Sequence, residues 1–182
     1  LTGSGALYMA TITPATDGAV TIDIITNVAQ DAAGNGNTAA SQFSIVADLT
    51  APSAPVVTII SEDNGESAMD GETNDNTLLF SGAAEAGSTV EIFIDGVSIG
   101  TTTTDGAGNW TYDHSAITLA DGTYAITAAA TDAAGNNSVL STAFSASIDT
   151  MAPVSTMMSF SGISDDSGAS NSDAITNDNT LV

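Results

Sequence analysis

Apolar residues come in short runs along this chain, and clusters of Gly, Asn, Asp and Ser stand between the runs. Within a run, apolar positions alternate with others: Val90, Ile92 and Ile94 share one side of an extended segment, and Tyr124, Ile126, Ala128 and Ala130 share one side of another. A period of two marks a strand with one buried face, and Val, Ile and Thr suit the pleated conformation. The pattern predicts seven strands between residues 56 and 148, at about 56–61, 77–82, 89–94, 97–103, 109–114, 123–131 and 138–148. Asp95-Gly96 and Asp121-Gly122 supply turns, because Gly takes positive φ without steric cost and Asp caps the turn. About seven short strands in a stretch of this length predict an all-β fold, an immunoglobulin-like β-sandwich. Its large core residues are expected to be Phe80, Leu78, Trp110, Ile126 and Phe144.

The chain also repeats itself. Asp31-Ala-Ala-Gly-Asn35 recurs as Asp132-Ala-Ala-Gly-Asn136, Phe43 as Phe144, Asp48 as Asp149, and Ala51-Pro52 as Ala152-Pro153. Further on, Asp63, Gly65 and Asp70 recur as Asp166, Gly168 and Asp173, and Thr73-Asn-Asp-Asn-Thr-Leu78 as Thr176-Asn-Asp-Asn-Thr-Leu181. Such self-similarity marks tandem modules. The expected division is the C-terminal half of one domain (1–48), a complete domain (49–149) and the N-terminal part of a third (150–182), so the chain reads as an excerpt of a longer one. The boundaries fall before Ala51-Pro52 and Ala152-Pro153, where proline keeps its predecessor extended and stiffens the linker.

Charge narrows the function. Among 182 residues 22 are Asp or Glu and none is Lys or Arg, a formal charge of −22. High charge with few aromatics can mark disorder, but the chain is 42% hydrophobic, which favours a folded state. No carboxylate can pair with an ammonium or guanidinium group, so self-repulsion must be met by salt, protonation or bound cations. Ca²⁺, which takes six to eight oxygen ligands, suits that need. Nucleic acid and anionic membrane surfaces are excluded as partners, since nothing can neutralise their phosphates. With no Cys and only His114, neither disulfides nor a thiolate or imidazole metal centre can form. No apolar run is long enough to span a membrane.

The stretch that carries Ala51-Pro52, Gly82-Ala-Ala-Glu-Ala-Gly-Ser-Thr-Val90, Gly108-Asn-Trp110, Leu119-Ala-Asp-Gly-Thr-Tyr124 and Ala130-Thr-Asp-Ala-Ala-Gly-Asn136 resembles the bacterial Ig-like repeats of giant type-I-secreted RTX adhesins. The opening segment, with Tyr8-Met-Ala-Thr-Ile-Thr-Pro14 and Asp17-Gly18, is similar to the closing half of a second repeat type of those proteins. The resemblance implies an extracellular, cell-surface extender in a biofilm-type adhesin. Many domains would stand in series, rigidified by calcium at their junctions, with neighbouring Ig-like domains of the same polypeptide as partners.

If consecutive strands alternate in direction, Asp48, Glu85, Asp105 and Asp132 gather at the end of the middle domain that faces the preceding one, where Asp17 can meet them. Asp75, Asp121 and Asp149 gather at the opposite end, with Asp63, Asp70 and Asp95. Without a cation such acids repel one another, so these residues are the candidate calcium ligands. Asp-x-x-Gly-Asn occurs at Asp31, Asp105 and Asp132. It reads as a hairpin turn with Gly in the left-handed conformation or as a calcium ligand with turn carbonyls, and one residue can do both. The acidic stretch 63–75 lacks the spacing of an EF-hand loop, and a solvated charge run and a site both remain open there.

Catalysis finds little footing. Asp113-His114-Ser115 evokes a hydrolytic triad, but neighbours on a strand point to opposite faces and cannot form the relay. Two alternatives to the spacer are an adhesion module that binds a glycan or protein, for which Trp110 and Tyr112 are the aromatic candidates, and a filament subunit. In the latter, self-association would join incomplete ends by strand complementation between chains.

Overall fold

A computed structural model describes residues 2–4, 7–61, 63 and 67–154. The chain falls into two compact units, Leu1–Asp149 and Thr150–Val182. In the second unit only residues 150–154 are described, so the expected third-domain motifs, Asp166 to Leu181, lie outside the described residues.

The first unit opens with two antiparallel ribbons. β1 (Thr2–Ser4) pairs with β2 (Leu7–Met9), and β3 (Gly18–Ile22) pairs with β4 (Phe43–Ala47). The rest of the unit is a sandwich. Its three-stranded sheet has the order β10 (Asn109–Asp113), β7 (Leu79–Ala83), β5 (Val56–Ile60). Its five-stranded sheet has the order β6 (Glu72–Thr73), β12 (Phe144–Ile148), β11 (Gly122–Thr131), β8 (Thr89–Ile94), β9 (Val97–Thr103). All pairings are antiparallel except that of β12 with β6.

Alternation decides what is buried. Val90, Ile92 and Ile94 of β8 and Ile126, Ala128 and Ala130 of β11 point inward, and Leu78, Phe80 and Trp110 come from the opposing layer. The expected core is therefore present, with Phe144 half-buried at its margin. Trp110 lies across Gly82, where a Cβ would sit 2.5 Å from Trp110 Cζ2 and 1.9 Å from the Val56 carbonyl oxygen. Only a residue without a side chain lets the indole and β5 approach β7 so closely. The indole N–H is buried and has no hydrogen-bond partner.

The β8–β9 hairpin turns at Asp95 (φ 51°) and Gly96 (φ 78°), the paired left-handed residues of a type I′ turn. The Asp95 carboxylate is used within the fold, accepting from the Ala125 N–H at 2.9 Å. One side of the sandwich is closed by side chains: the Tyr112 hydroxyl donates to the Ile99 carbonyl, and the Thr102 hydroxyl to the Thr111 carbonyl. At the start of β11 the Tyr124 hydroxyl donates to the Ala120 carbonyl at 2.9 Å, the corner contact typical of immunoglobulin-like sandwiches.

The structure departs from the strand pattern in two places. The strand expected over 138–148 is regular only from Phe144. Before it, Ser138 and Ser141 replace ladder carbonyls with their hydroxyls, which accept from the N–H groups of Ala130 (2.8 Å) and Ala128 (3.0 Å). Serine oxygens satisfy the β11 backbone as a strand would, but they release the chain from strand geometry. The second departure is β6, two residues of a stretch expected as loop, which adds a parallel edge to β12.

Candidate functional site

The repeated motif Asp-x-x-Gly-Asn builds the same turn three times. At Asp31, Asp105 and Asp132, Oδ1 accepts from the N–H groups two and four residues on, all at 2.8–2.9 Å. Oδ2 accepts from the side-chain amide of Asn35, Asn109 or Asn136. The backbone N–H of each Asp donates to the carbonyl of that Asn, and Gly34, Gly108 and Gly135 hold φ values of 87°, 86° and 94°. A carboxylate that accepts several N–H bonds is favoured in its charged form. All three acids are held below the usual carboxylate range, Asp31 and Asp132 chiefly by the Asn side chain and Asp105 chiefly by the Asn109 N–H. Of the two readings of the motif, turn geometry accounts for these bonds.

The linker after β4 is gripped from both sides. From the loop before β3, Asp17 reaches across it: Oδ1 accepts from the Leu49 N–H at 2.6 Å, and Oδ2 accepts from the Thr50 hydroxyl. These two bonds, the hydroxyl first, keep the Asp17 carboxyl below its ordinary range. From the turn between β11 and β12, Asn136 donates its side-chain amide to the Asp48 carbonyl at 3.1 Å while it also serves the Asp132 turn. Asp48 caps the linker itself, with Oδ1 accepting from the Thr50 N–H at 3.1 Å. Asp17, Asp48 and the Asp132 turn therefore meet around residues 48–50. The sequence had placed these acids together but not Thr50 and Asn136, the donors that make the contact. Thr50 carries no local signal, because its partner lies far away in the chain.

The remaining candidates sort by strand direction. Glu85 and Asp105 occupy adjoining loops, tied by the Ala84 N–H to the Gly108 carbonyl and by the Thr104 hydroxyl to the Glu85 carbonyl. At the other end the Asp149 N–H donates to the Thr73 carbonyl, and the Leu119 N–H, two residues before Asp121, donates to the Asn76 carbonyl. Asp75 is engaged by Thr77 and by the Ser61 hydroxyl. An open groove of about 400 Å³ runs past Ser61, Asp75, Thr77 and Asp113. Among the described residues, no three acids, with or without His114, converge in a group that could hold a metal ion. The junction carboxylates thus offer hard oxygens but no closed cage.

The aromatic and triad candidates are committed elsewhere. Trp110 is 2% exposed, and the half-buried Tyr112 spends its hydroxyl on β9, so neither presents a free platform. His114 is buried with its ring near Phe80 and Tyr112, at centroid separations of 6.0 and 6.2 Å, while Asp113 turns outward and caps the Ser115 N–H.

Two facing sheets with alternating burial and a tyrosine corner define an immunoglobulin-like module. Residues 50–150, more than half of the chain, match the model of the bacterial Ig-like domain, and the chain belongs to that family. It is a structural or adhesion-type module, of a kind typical of extracellular and surface proteins and generally without catalytic activity. The chain matches no curated protein.

Proposed function

We propose that this chain is a non-catalytic spacer of a large, secreted bacterial surface adhesin, one of many Ig-like domains in series that hold an adhesive region away from the cell. The observation that carries this reading is the double grip on residues 48–50, by Asp17 from one side and Asn136 from the other. A linker bonded on both flanks resists bending, which is what an extender requires and what a freely jointed chain of modules lacks. Calcium completes the reading. With −22 charges and no Lys or Arg, the carboxylates at Asp17, Asp48 and Asp132 attract divalent cations from the medium. Binding there is weak, in the millimolar range of extracellular modules, because backbone carbonyls and water must supply much of the shell. The ions screen repulsion across the joint and leave the hydrogen bonds to set its angle.

Small-angle scattering of the 182-residue chain tests this. In millimolar Ca²⁺ the maximum dimension is expected to be longer and more sharply defined than in EDTA. The double variant Asp17→Asn with Asn136→Ala should give the shorter, broader distribution in both conditions. Profiles that ignore both EDTA and the double variant would refute the spacer reading.

A further inference from the structure

The three copies of the Asp-x-x-Gly-Asn turn differ in the residue that follows the Asn: Gly36 after Asn35, Trp110 after Asn109 and Asn137 after Asn136. The copies at Asp31 and Asp132 otherwise share their surroundings. Gln30 bridges Gly36 as Thr131 bridges Asn137. At the first bridge the Asp31 N–H donates to the Asn35 carbonyl at 3.0 Å and the Asn37 N–H to the Ala29 carbonyl at 2.9 Å. At the second the Asp132 N–H donates to the Asn136 carbonyl at 3.1 Å and the Ser138 N–H to the Ala130 carbonyl at 2.8 Å. An antiparallel pair of this kind leaves the N–H groups of the bridged residues themselves out of the ladder. The Gly36 amide nitrogen is one of these, and both Asn35 and Gly36 are exposed.

Packing imposes glycine at position 36. A Cβ there would lie 2.0 Å from Asn27 Oδ1 and 3.1 Å from Asn27 Cα, so any side chain would drive Asn27 out of place. The turn also needs Asn35, whose side-chain amide donates to Asp31 Oδ2 at 2.8 Å. Fold therefore joins a chemically labile residue type to the one successor that leaves its own amide nitrogen unshielded. The other two copies are better protected. Asn137 carries a side chain, and the Asn136 amide is shared between Asp132 Oδ2 at 2.8 Å and the Asp48 carbonyl at 3.1 Å. Asn109 precedes the buried Trp110, which is paired in the β10–β7 ladder.

We infer that Asn35-Gly36 is a site of spontaneous deamidation, and that conversion there opens the turn of the β3–β4 ribbon. The Gly36 nitrogen attacks Asn35 Cγ. The new C–N bond closes a succinimide ring, and the side-chain nitrogen of Asn35 leaves as ammonia, taking the Gly36 proton. Water then opens the ring at either carbonyl and gives Asp or isoaspartate. Both products set a carboxylate against Asp31 where an amide donor stood. The sequence has no Lys or Arg to lie between them, so the two charges repel. Isoaspartate also reroutes the main chain through Cβ, which lengthens it between the two bonds of the bridge. This chemistry does not depend on the spacer reading.

Incubation of the 182-residue chain in mildly alkaline buffer, followed by peptic digestion and mass spectrometry with electron-transfer fragmentation, tests the reaction. Asn35 is expected to be largely converted, with isoaspartate in excess over Asp, while Asn109 and Asn136 remain amides. Asn64-Gly65, the other Asn-Gly pair of the sequence, lies outside the described residues and is read on its own peptide. Native hydrogen exchange of Asn35→Asp tests the consequence: the Asp31 and Asn37 N–H groups should lose protection. The double variant Asp31→Asn with Asn35→Asp again sets one amide against one carboxylate and should regain that protection. An Asn35 that survives as long as Asn136 would overturn the site. Wild-type protection in Asn35→Asp would overturn the opening of the turn, and a double variant that stays unprotected would overturn charge repulsion as its cause.

Discussion

The β3–β4 ribbon and the β11–β12 ribbon are built alike and end differently. Ile22 stands opposite Phe43 in the first and Ile126 opposite Phe144 in the second, and each ribbon closes with an Asp-x-x-Gly-Asn turn in its connection. Yet Ile126 is wholly buried, while Ile22 and Phe43 are 38% and 58% exposed. Local sequence sets the hairpin, its register and its turn. Burial comes from the facing sheet, which β5, β7 and β10 supply for β11–β12 and which no described strand supplies for β3–β4. A two-stranded ribbon alone is marginal in water, so stability in this unit should reside in the sandwich.

The sharpest way to break that comparison is to delete one aromatic ring from each region. Phe80→Ala removes a fully buried ring from the sandwich core and should cost about 3–5 kcal/mol. Phe43→Ala removes an exposed ring and should stay within about 0.5 kcal/mol. Urea unfolding followed through Trp110, the single tryptophan, reports the sandwich directly. Equal losses would mean that the β3–β4 face is buried in solution.

A smaller effect should follow from filling the space beside that tryptophan. Gly82→Ala places a methyl group against the Val56 carbonyl and the indole, so β5 must retreat or Trp110 must leave its rotamer. The expected loss is about 1–3 kcal/mol, with a red shift of the Trp110 emission. Gly106→Ala is the control: a Cβ there meets nothing within 4 Å, and its unfolding midpoint should match wild type.

Much of the sandwich was legible because its signals are local. The alternation of residues 89–94, the Asp95-Gly96 turn and the repeated Asp-x-x-Gly-Asn each fix a backbone conformation within a few residues. What escaped the sequence depends on distant partners. Ser138 and Ser141 look like strand residues until their hydroxyls are seen taking the β11 N–H groups. β6 is two residues long and exists only because β12 offers it an edge. The engagement of the acids was not foreseeable from strand direction: Asp31, Asp105 and Asp132 spend their oxygens on their own turns, and Asp17 grips the linker through Thr50. Asp63 lies in an acidic stretch that reads either as a solvated run or as a site, and its burial comes with the bond to Gly71, which packs against β12.

The subtlest test of the comparison is acid titration, because the same turn occurs in both regions. The carboxyls of Asp31, Asp105 and Asp132 lie below the ordinary range when folded. Each therefore contributes stability that is fully present above the unfolded value, about 3.9, and lost as the pH falls through the folded value. Between pH 7 and about 4 these turns therefore keep their stabilisation. Below that window the two regions should part. The Asn35 N–H belongs to a turn on an exposed ribbon and should lose hydrogen-exchange protection as soon as Asp31 protonates. The Asn136 N–H sits in the same turn chemistry but is anchored to a packed sandwich, and should stay protected until the domain unfolds as a whole. Simultaneous loss at Asn35 and Asn136 would show that the ribbon and the sandwich form one cooperative unit.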